Sequence, residues 1–265
     1  MKGRVLVVAG SDSGGGAGIQ ADIKTITALG GFAMTAVTAL TAQNSLTVAG
    51  IHKPPPSFVA DQIRVTLEDL GTDAVKTGMM ADRPIIEAAA DVLDQLAPDV
   101  PWVIDPVMVS TARDRLLDED AVTALRQRLV NKAALTTPNM AEAELLTGLS
   151  VTTVDEMEAA GRALVEGGAG AALITGGHLE GGIVIDVLVS TAGVERFEAA
   201  RIVTTNTHGT GCTLASAIAT GLAQGLELHD AVIRARAYVR EAIRTAPGYG
   251  GGHGPLNHAH TVKGD

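Results

Sequence analysis

Residues 206–212 read Asn-Thr-His-Gly-Thr-Gly-Cys and come directly before an apolar helical pattern. Gly209 and Gly211 let the backbone turn tightly and approach a ligand without a Cβ clash. The first turn of the following helix, predicted from Thr213 onward, offers unpaired N–H groups and a positive dipole end to an anion. The same field is expected to lower the pKa of the Cys212 thiol, so that it exchanges a proton near neutral pH. The segment therefore predicts an anion site suited to phosphoryl chemistry, against the alternative of a small buried residue at a glycine-turned helix start.

A second glycine-rich segment, residues 10–18, follows the first predicted strand and begins with Gly10. Its Gly16, Gly18 and Ala21 imitate a dinucleotide fingerprint, which would indicate an oxidoreductase. The loop before them is longer than that fingerprint allows, and no acidic residue stands about 20 positions further on to hold a ribose. The sequence also lacks the Gly-Lys-Ser/Thr triplet of a P-loop. The long loop and the missing acidic residue argue against the dinucleotide fingerprint, and the missing triplet argues against a P-loop.

Asp22 is the unusual residue of the helix that follows this loop. At 100° per residue it falls within the apolar arc of Ile19, Ile23 and Ile26, so its side chain is expected to point toward the core. A buried carboxylate needs partners. Those partners are either N–H groups of the preceding loop or a polar ligand above the sheet.

Polar residues also follow the later predicted strands. Gln43 is either turn chemistry or a side chain that donates and accepts at once, as the edge of an aminopyrimidine requires. Asp105, just before Pro106, caps a neighbouring loop or serves a metal or phosphate. Asn139 and Glu142 form a capping box or, on one helix face, contact Mg²⁺ through its waters.

Short β-branched runs alternate with helical periodicities along the chain, which indicates a layered parallel sheet with helices on both faces. The predicted strands are Arg4–Val8, Phe32–Leu40, Asp73–Lys76, Trp102–Val107, Ala133–Thr136, Ala171–Thr175 and Ile183–Val189. No linker or repeat interrupts the pattern, so a single domain over residues 1–265 is expected. Ligands of such sheets bind beyond the carboxyl ends of the strands. Arg236, Arg240 and Arg244 share one face of the last predicted helix, which is expected to face solvent or another subunit.

Composition limits the function classes. The net charge of −10 argues against a nucleic-acid partner, and seven histidines without paired metal-ligand spacing argue against zinc. A single cysteine fits a reducing compartment. No uncharged apolar run approaches about 18 residues, so no membrane segment is predicted. The first residues are too short in their apolar part for a signal peptide, and a cytoplasmic protein is expected.

Taken in order, these segments resemble the hydroxymethylpyrimidine/phosphomethylpyrimidine kinases of thiamine biosynthesis. The resemblance covers nearly the whole chain, at residues 9–25, 105–108, 137–142, 206–214 and 252–258. It implies a ribokinase-like fold: a three-layer α/β/α sandwich around a mostly parallel central sheet, with a small lid only. It also implies a homodimer that uses ATP and Mg²⁺ to phosphorylate 4-amino-5-hydroxymethyl-2-methylpyrimidine and then its monophosphate, giving the pyrophosphate.

The resemblance also implies a role for each matching position. Gly209, Thr210 and Gly211 are expected to bind the transferring phosphoryl group, and Cys212 stands where related sugar kinases have an aspartate base. The residues expected to line the pyrimidine pocket are Gly10, Asp22, Gln43, Met79 and Val107. Those expected near the nucleotide are Thr175, Gly176, Gly177 and Thr205, and those expected to organise Mg²⁺ are Asn139, Glu142 and Asp105.

Two positions depart from the family pattern: Arg113 stands where a glycine is frequent, and Gly14 stands where a serine is usual. Arg113 is expected to stiffen a loop that moves during turnover. The alternative functions are a kinase of the same fold for pyridoxal, a dinucleotide-dependent oxidoreductase, and a nucleotide-binding sensor without catalysis.

Overall fold

The computed structural model describes residues 1–108 and 117–262, and the expectation for Arg113 falls outside them. In this part of the chain one sheet contains β1 (Arg4–Asp12), β2 (Phe32–Gln43), β3 (Val48–His52), β4 (Ala74–Thr77), β5 (Trp102–Ile104), β6 (Leu135–Thr136), β7 (Ala171–Ile174), β8 (Ile183–Ser190) and β9 (Gly193–Ala200). The strand order is β3-β2-β1-β4-β5-β6-β7-β8-β9. The pairs from β2 through β7 are parallel, whereas β3, β8 and β9 pair antiparallel at the two edges.

The helices cover both faces of this sheet. They are α1 (Gly18–Ala28), α2 (Pro56–Leu70), α3 (Arg83–Leu96), α4 (Glu119–Arg128), α5 (Met140–Thr147), α6 (Val154–Glu166), α7 (Thr210–Ala223) and α8 (Leu228–Arg244), with a 3-10 turn at Val130–Lys132. Buried residues of α1, α7 and α8 form one core, and those of α2 to α6 form the other. Within β1, Val5 and Val7 face the first core while Leu6 and Val8 face the second, because successive strand residues point to opposite faces.

The predicted three-layer, mostly parallel sandwich is confirmed. The edge strands β3 and β9 were not predicted, because their residues are mostly exposed and lack an apolar run. The strand predicted to end at Leu40 continues to Gln43, where it pairs with β3. The single-domain expectation for residues 1–265 stays a prediction. Among the described residues no helix is long and apolar enough to cross a membrane.

Candidate active site

The carboxyl ends of β1, β4, β5, β6 and β7 meet at one edge of the sheet, next to the first turn of α7. Parallel strands direct their following loops to the same edge, which is why residues far apart in sequence meet there. Residues of two strand-end loops, Gly16 and Asp105, lie against this turn, and Asn139 and Thr175 connect two further loops at the same edge.

The first turn of α7 is shaped by its glycines. Gly209 is the N-cap of α7, has a left-handed φ of 85°, and makes no side-chain capping bond. A Cβ there would overlap the carbonyl oxygen of Gly16, so the two glycine-rich loops are in direct backbone contact. A Cβ on Gly211 would lie 3.9 Å from both carboxylate oxygens of Asp105. The exposed backbone of Gly211 therefore leaves the helix N-terminus open beside Asp105.

Cys212 is a half-buried thiol in this turn, and the charge of the nearby Asp105 carboxylate acts on it. Burial raises the pKa of Cys212 to about 12, and Asp105 and Asp22 add to the rise. The ammonium of Lys76 and the N–H of Gly18 act in the opposite direction but are outweighed. The prediction that the helix dipole lowers this pKa is wrong, because desolvation and two carboxylates exceed the dipole effect.

We expect the Cys212 thiol to react slowly with iodoacetamide at pH 7.5, with a rate that rises about tenfold per pH unit up to pH 9.5, since only the thiolate is nucleophilic. Cys212 is the single cysteine of the chain, so adduct mass reports on this site alone. The urea-unfolded chain is the control and should react like a free thiol. A rate that levels off near pH 7 in the folded protein would contradict the raised pKa.

A group of buried charges lies under this turn. Lys76 and Asp22 are fully buried, with Nζ of Lys76 2.9 Å from Oδ1 of Asp22 and 3.8 Å from Oδ2 of Asp105. Ser216 Oγ also donates to Asp22 Oδ1, at 2.6 Å. Asp22 thus pairs with a lysine and a serine, and does not bind the N–H groups of the preceding loop. Its predicted contact with the pyrimidine stays a prediction.

Asn139 and Glu142 form the capping box that the sequence left as one alternative. The Asn139 N–H donates to Glu142 Oε2 at 2.9 Å, and the Glu142 N–H donates to Asn139 Oδ1 at 3.0 Å. Burial, then the charge of Asp105, raises the pKa of Glu142 to about 8, although the N–H groups of Asn139 and Met108 oppose this. Burial likewise raises the pKa of Asp105 to about 6. No group of three or more histidine, cysteine or carboxylate side chains placed to hold a metal occurs among the described residues.

Several residues expected in the pyrimidine pocket lie at the ends of β1, β2 and β4. A Cβ on Gly10 would lie 3.3 Å from the sulfur of Met79, so these two residues are in contact. Gln43 is half-buried, and its Oε1 accepts from Thr41 Oγ1 at 3.2 Å. Val107 is half-buried two residues after Asp105, to whose carbonyl its N–H donates at 2.9 Å.

Asp12 and His208 form a pair that the sequence reasoning missed. The Asp12 carboxylate accepts the N–H groups of Gly14, Gly16 and Ala17 and lies 2.9 Å from Nε2 of His208. Burial raises the pKa of Asp12, but these bonds outweigh it and leave a net lowering. The signal that could have found this role is an aspartate that ends a strand and starts a glycine-rich loop. The pair joins this loop to residues 206–212.

The loop expected near the nucleotide begins at Thr175, which pairs with Asn139. The Gly176 N–H donates to Asp186 Oδ1 at 2.9 Å, and Arg236 Nε donates to Asp186 Oδ2 at 2.8 Å. The expectation that Arg236 faces solvent or another subunit is therefore wrong. Its side chain is only 14% exposed, because the aspartate that positions the loop needs a counterion.

Other arginines support this side of the site. Arg201 donates to three carbonyls of residues 177–181, and Arg240 donates to the carbonyl of Ala200. Arg244 pairs with Glu241 at the surface, as expected for a solvated residue. Thr205 is exposed in the loop before α7, and its carbonyl accepts the Thr207 N–H at 3.0 Å.

The glycine-rich tail, residues 248–256, contacts two loops of the site. The His253 N–H donates to the carbonyl of Ser45 at 3.1 Å, just beyond Gln43. The His208 N–H donates to the carbonyl of Gly254, also at 3.1 Å. The tail thereby connects the β2–β3 turn with the loop before α7.

A glycine-turned helix start beside a buried acid, at the carboxyl edge of a three-layer α/β/α sandwich, defines a phosphotransferase of the ribokinase-like fold. A family model described as phosphomethylpyrimidine kinase matches residues 12–257. The chain belongs to the phosphomethylpyrimidine kinase family.

Relatives along the whole chain agree with this family. The thiamine biosynthesis bifunctional protein ThiED of Geobacter sulfurreducens is 50% identical over 257 residues, 97% of this chain and 52% of that protein. This chain thus spans about half the length of that relative. The hydroxymethylpyrimidine/phosphomethylpyrimidine kinase of Rhizobium meliloti is 45% identical over 258 residues, 96% of each chain.

Solved structures of two activities share the fold. The pyridoxal kinase from Staphylococcus aureus in complex with pyridoxal has a TM-score of 0.91 and 31% identity, with 99% of this chain and 96% of that chain covered. The phosphomethylpyrimidine kinase from Clostridium difficile has a TM-score of 0.82 and 38% identity, with 91% of this chain and 100% of that chain covered.

Proposed function

We propose that this protein transfers the terminal phosphoryl group of ATP to the hydroxymethyl oxygen of 4-amino-5-hydroxymethyl-2-methylpyrimidine, and then phosphorylates the monophosphate to the pyrophosphate in thiamine biosynthesis. The observation that carries this proposal is the open first turn of α7 beside Asp105 and Cys212, in a chain of the phosphomethylpyrimidine kinase family. Phosphoryl transfer requires mainly positioning and charge stabilisation. A helix N-terminus that exposes glycine N–H groups provides both for an anionic group.

The residues of this turn have separate tasks in the first transfer. The N–H groups at Gly209, Thr210 and Gly211 stabilise the negative charge of the phosphoryl oxygens as it spreads during transfer. Because the Cys212 thiol keeps its proton at neutral pH, it does not act as a free thiolate base. Instead, Cys212 is proposed to take the hydroxyl proton of the substrate as its own proton passes to the nearby Asp105 carboxylate.

Asp105, Glu142 and Asn139 fit a Mg²⁺ ion that binds partly through its waters. Asp105 Oδ2 is buried without a hydrogen-bond partner, and burial raises the pKa values of both carboxyl groups, so a cation between them would be strongly favoured. Hard oxygen ligands of this kind suit Mg²⁺. When bound, Mg²⁺ neutralises charge on the nucleotide phosphates. The capping box orients Asn139 and Glu142, while Thr175, Gly176, Gly177 and Thr205 lie on the side proposed for the nucleotide.

The pyrimidine is proposed to lie against Gly10, Met79 and Val107, with its polar edge on Gln43. Asp12 has a lowered pKa, so it is an ionised carboxylate that can only accept a hydrogen bond. In the 2.9 Å contact, the N–H at Nε2 of His208 is therefore the donor. Nε2 of Gln43 lies 3.5 Å from the same ring nitrogen, which then has no lone pair to accept a second bond. The amide N–H of Gln43 is therefore available to a ring nitrogen of the substrate.

We expect Gln43→Leu to raise KM for the pyrimidine by about 10- to 100-fold and to change kcat by less than about threefold, because the polar edge of the substrate loses its partner. Steady-state kinetics with varied pyrimidine measures both values. Gln62→Leu is a matched control, since that amide bonds only to the backbone of Val37 in β2. An unchanged KM in Gln43→Leu would contradict the pocket role.

The second candidate is a pyridoxal kinase, favoured by the high structural similarity to the enzyme from Staphylococcus aureus. Comparison of kcat/KM for the hydroxymethylpyrimidine, its monophosphate and pyridoxal tests the assignment. We expect the two pyrimidines to be preferred. A preference for pyridoxal would overturn the proposed substrate, and no turnover of the monophosphate would remove the second step.

A homodimer is proposed as well. The β2–β3 hairpin ends the sheet on one side and exposes Leu40, Leu46 and Ile51, which favours association of this edge with a second copy. Sedimentation at micromolar concentration should give about twice the chain mass of 27.0 kDa, and a mass of one chain would contradict the dimer. The cytoplasmic location stays a prediction.

A further inference from the structure

Lys76 is a fully buried lysine with no task in the scheme above. It lies in β4, one residue before the strand ends, and its side chain is 0% exposed. Burying an ammonium group is costly unless it is paired and hydrogen-bonded. Nζ of Lys76 has two carboxylates near it, Asp22 Oδ1 at 2.9 Å and Asp105 Oδ2 at 3.8 Å.

The surroundings of Lys76 connect three elements to the first turn of α7. Asp22 belongs to α1, and its Oδ1 also accepts from Ser216, which lies one helical turn after Cys212. Asp105 follows β5, and both of its carboxylate oxygens would lie 3.9 Å from a Cβ on Gly211, the residue before Cys212. A Cβ on Gly78 would lie 3.1 Å from Nζ of Lys76, so the backbone after β4 approaches the ammonium closely.

The charge balance of this group depends on Lys76. Asp22 and Asp105 are both buried, and the Lys76 ammonium lies between them. Asp105 Oδ2 has no hydrogen-bond partner among the described residues, so its nearest opposite charge is Lys76. Without this cation, two carboxylates would repel each other in a medium that screens charge poorly. Asp22 would keep its bond from Ser216, whereas Asp105 Oδ2 would lose its ion-pair partner.

We propose that Lys76 is a positioning residue of the phosphoryl-transfer site, whose ammonium group orients the Asp105 carboxylate beside Gly211 and Cys212 while Asp22 completes its charge balance. The inference rests on the proposed function, because it assigns to Lys76 an effect on the transfer step. Displacement of a reacting group by about 1 Å costs up to about 100-fold in rate. Lys76 therefore affects kcat more than the binding of either substrate.

Lys76→Met alone would leave Asp22 buried without a cation, which is expected to unfold the protein. The test is therefore made in the Asp22→Asn background, in which the introduced amide oxygen still accepts from Ser216 and Lys76 still pairs with Asp105. We expect D22N/K76M to have a kcat about 10- to 100-fold below that of D22N. KM for the pyrimidine and for ATP should differ by less than about threefold, and circular dichroism checks that both variants are folded.

Equal kcat values for D22N and D22N/K76M would overturn the proposal and leave Lys76 as a structural counterion of Asp22. If D22N/K76M does not fold, D22N/K76Q is measured against the same limits, since glutamine keeps a donor without the charge. If the wild-type chain phosphorylates pyridoxal and not the pyrimidine, the proposed substrate fails. The same kcat comparison with pyridoxal as acceptor then decides the role of Lys76.

Discussion

Cys212→Ala should lower kcat by about 10²–10⁴ with little change in KM, which is the usual effect of removing a group that transfers a proton in the transition state. The structure gives this prediction a specific cause. The alanine variant removes both the proposed acceptor of the hydroxyl proton and the thiol that lies near Asp105. Single-turnover measurement of phosphorylated pyrimidine separates this effect on chemistry from product release.

Cys212→Ser is the companion variant. Serine keeps an O–H near Asp105, so it can take one proton while passing another and should retain at least about tenfold more activity than alanine. Turnover of Cys212→Ala close to that of the wild type would reduce the thiol to a packing residue. Equal losses in both variants would instead indicate that the sulfur itself is required.

Gly209→Ala is expected to lower kcat by about 10²–10³, the loss that follows removal of one preorganised donor to a developing oxyanion. Two observations require glycine here: the left-handed φ of 85° and the overlap of any Cβ with the Gly16 carbonyl. The overlapping atom belongs to the backbone, so a rotamer change gives no relief. The first turn of α7 must therefore move away from the glycine-rich loop that contains Gly16.

Gly225→Ala is the matched control for this variant. Gly225 has nearly the same backbone conformation, with a φ of 84°, but a Cβ there meets nothing within 4 Å. Both variants should lose about 1–2 kcal/mol of stability from the left-handed conformation. Only Gly209→Ala should lose kcat, and a parallel loss in Gly225→Ala would show that reduced stability explains the effect.

Patterns of apolar residues predict most of this fold. Buried strands such as Arg4–Asp12 contain a continuous apolar run, whereas the edge strands Val48–His52 and Gly193–Ala200 are mostly exposed and lack one. The antiparallel direction of the last two strands follows from their short connections, residues 175–182 and 191–192, because a parallel pair requires a longer crossover.

Prediction of the site was limited by contacts between distant residues. Motif spacing identified Asn139 with Glu142 because a capping box lies within one helical turn. The ion pair of Lys76 with Asp22 joins residues 54 positions apart, and that of Asp12 with His208 joins residues 196 apart. The raised pKa of Cys212 could not be predicted for the same reason. The burial and the two carboxylates that raise it come from elements that are distant in sequence.

The glycine-rich tail has a consequence for how the protein is made. From β4 onward, each new strand pairs beside the previous one, so the sheet can extend in the order in which the chain is synthesised. The loop at Asp12, however, needs His208, and His208 in turn pairs with the backbone at Gly254. A nascent chain can therefore bury much of its core while still attached to the ribosome, but it acquires a finished catalytic centre only after residue 254 has emerged.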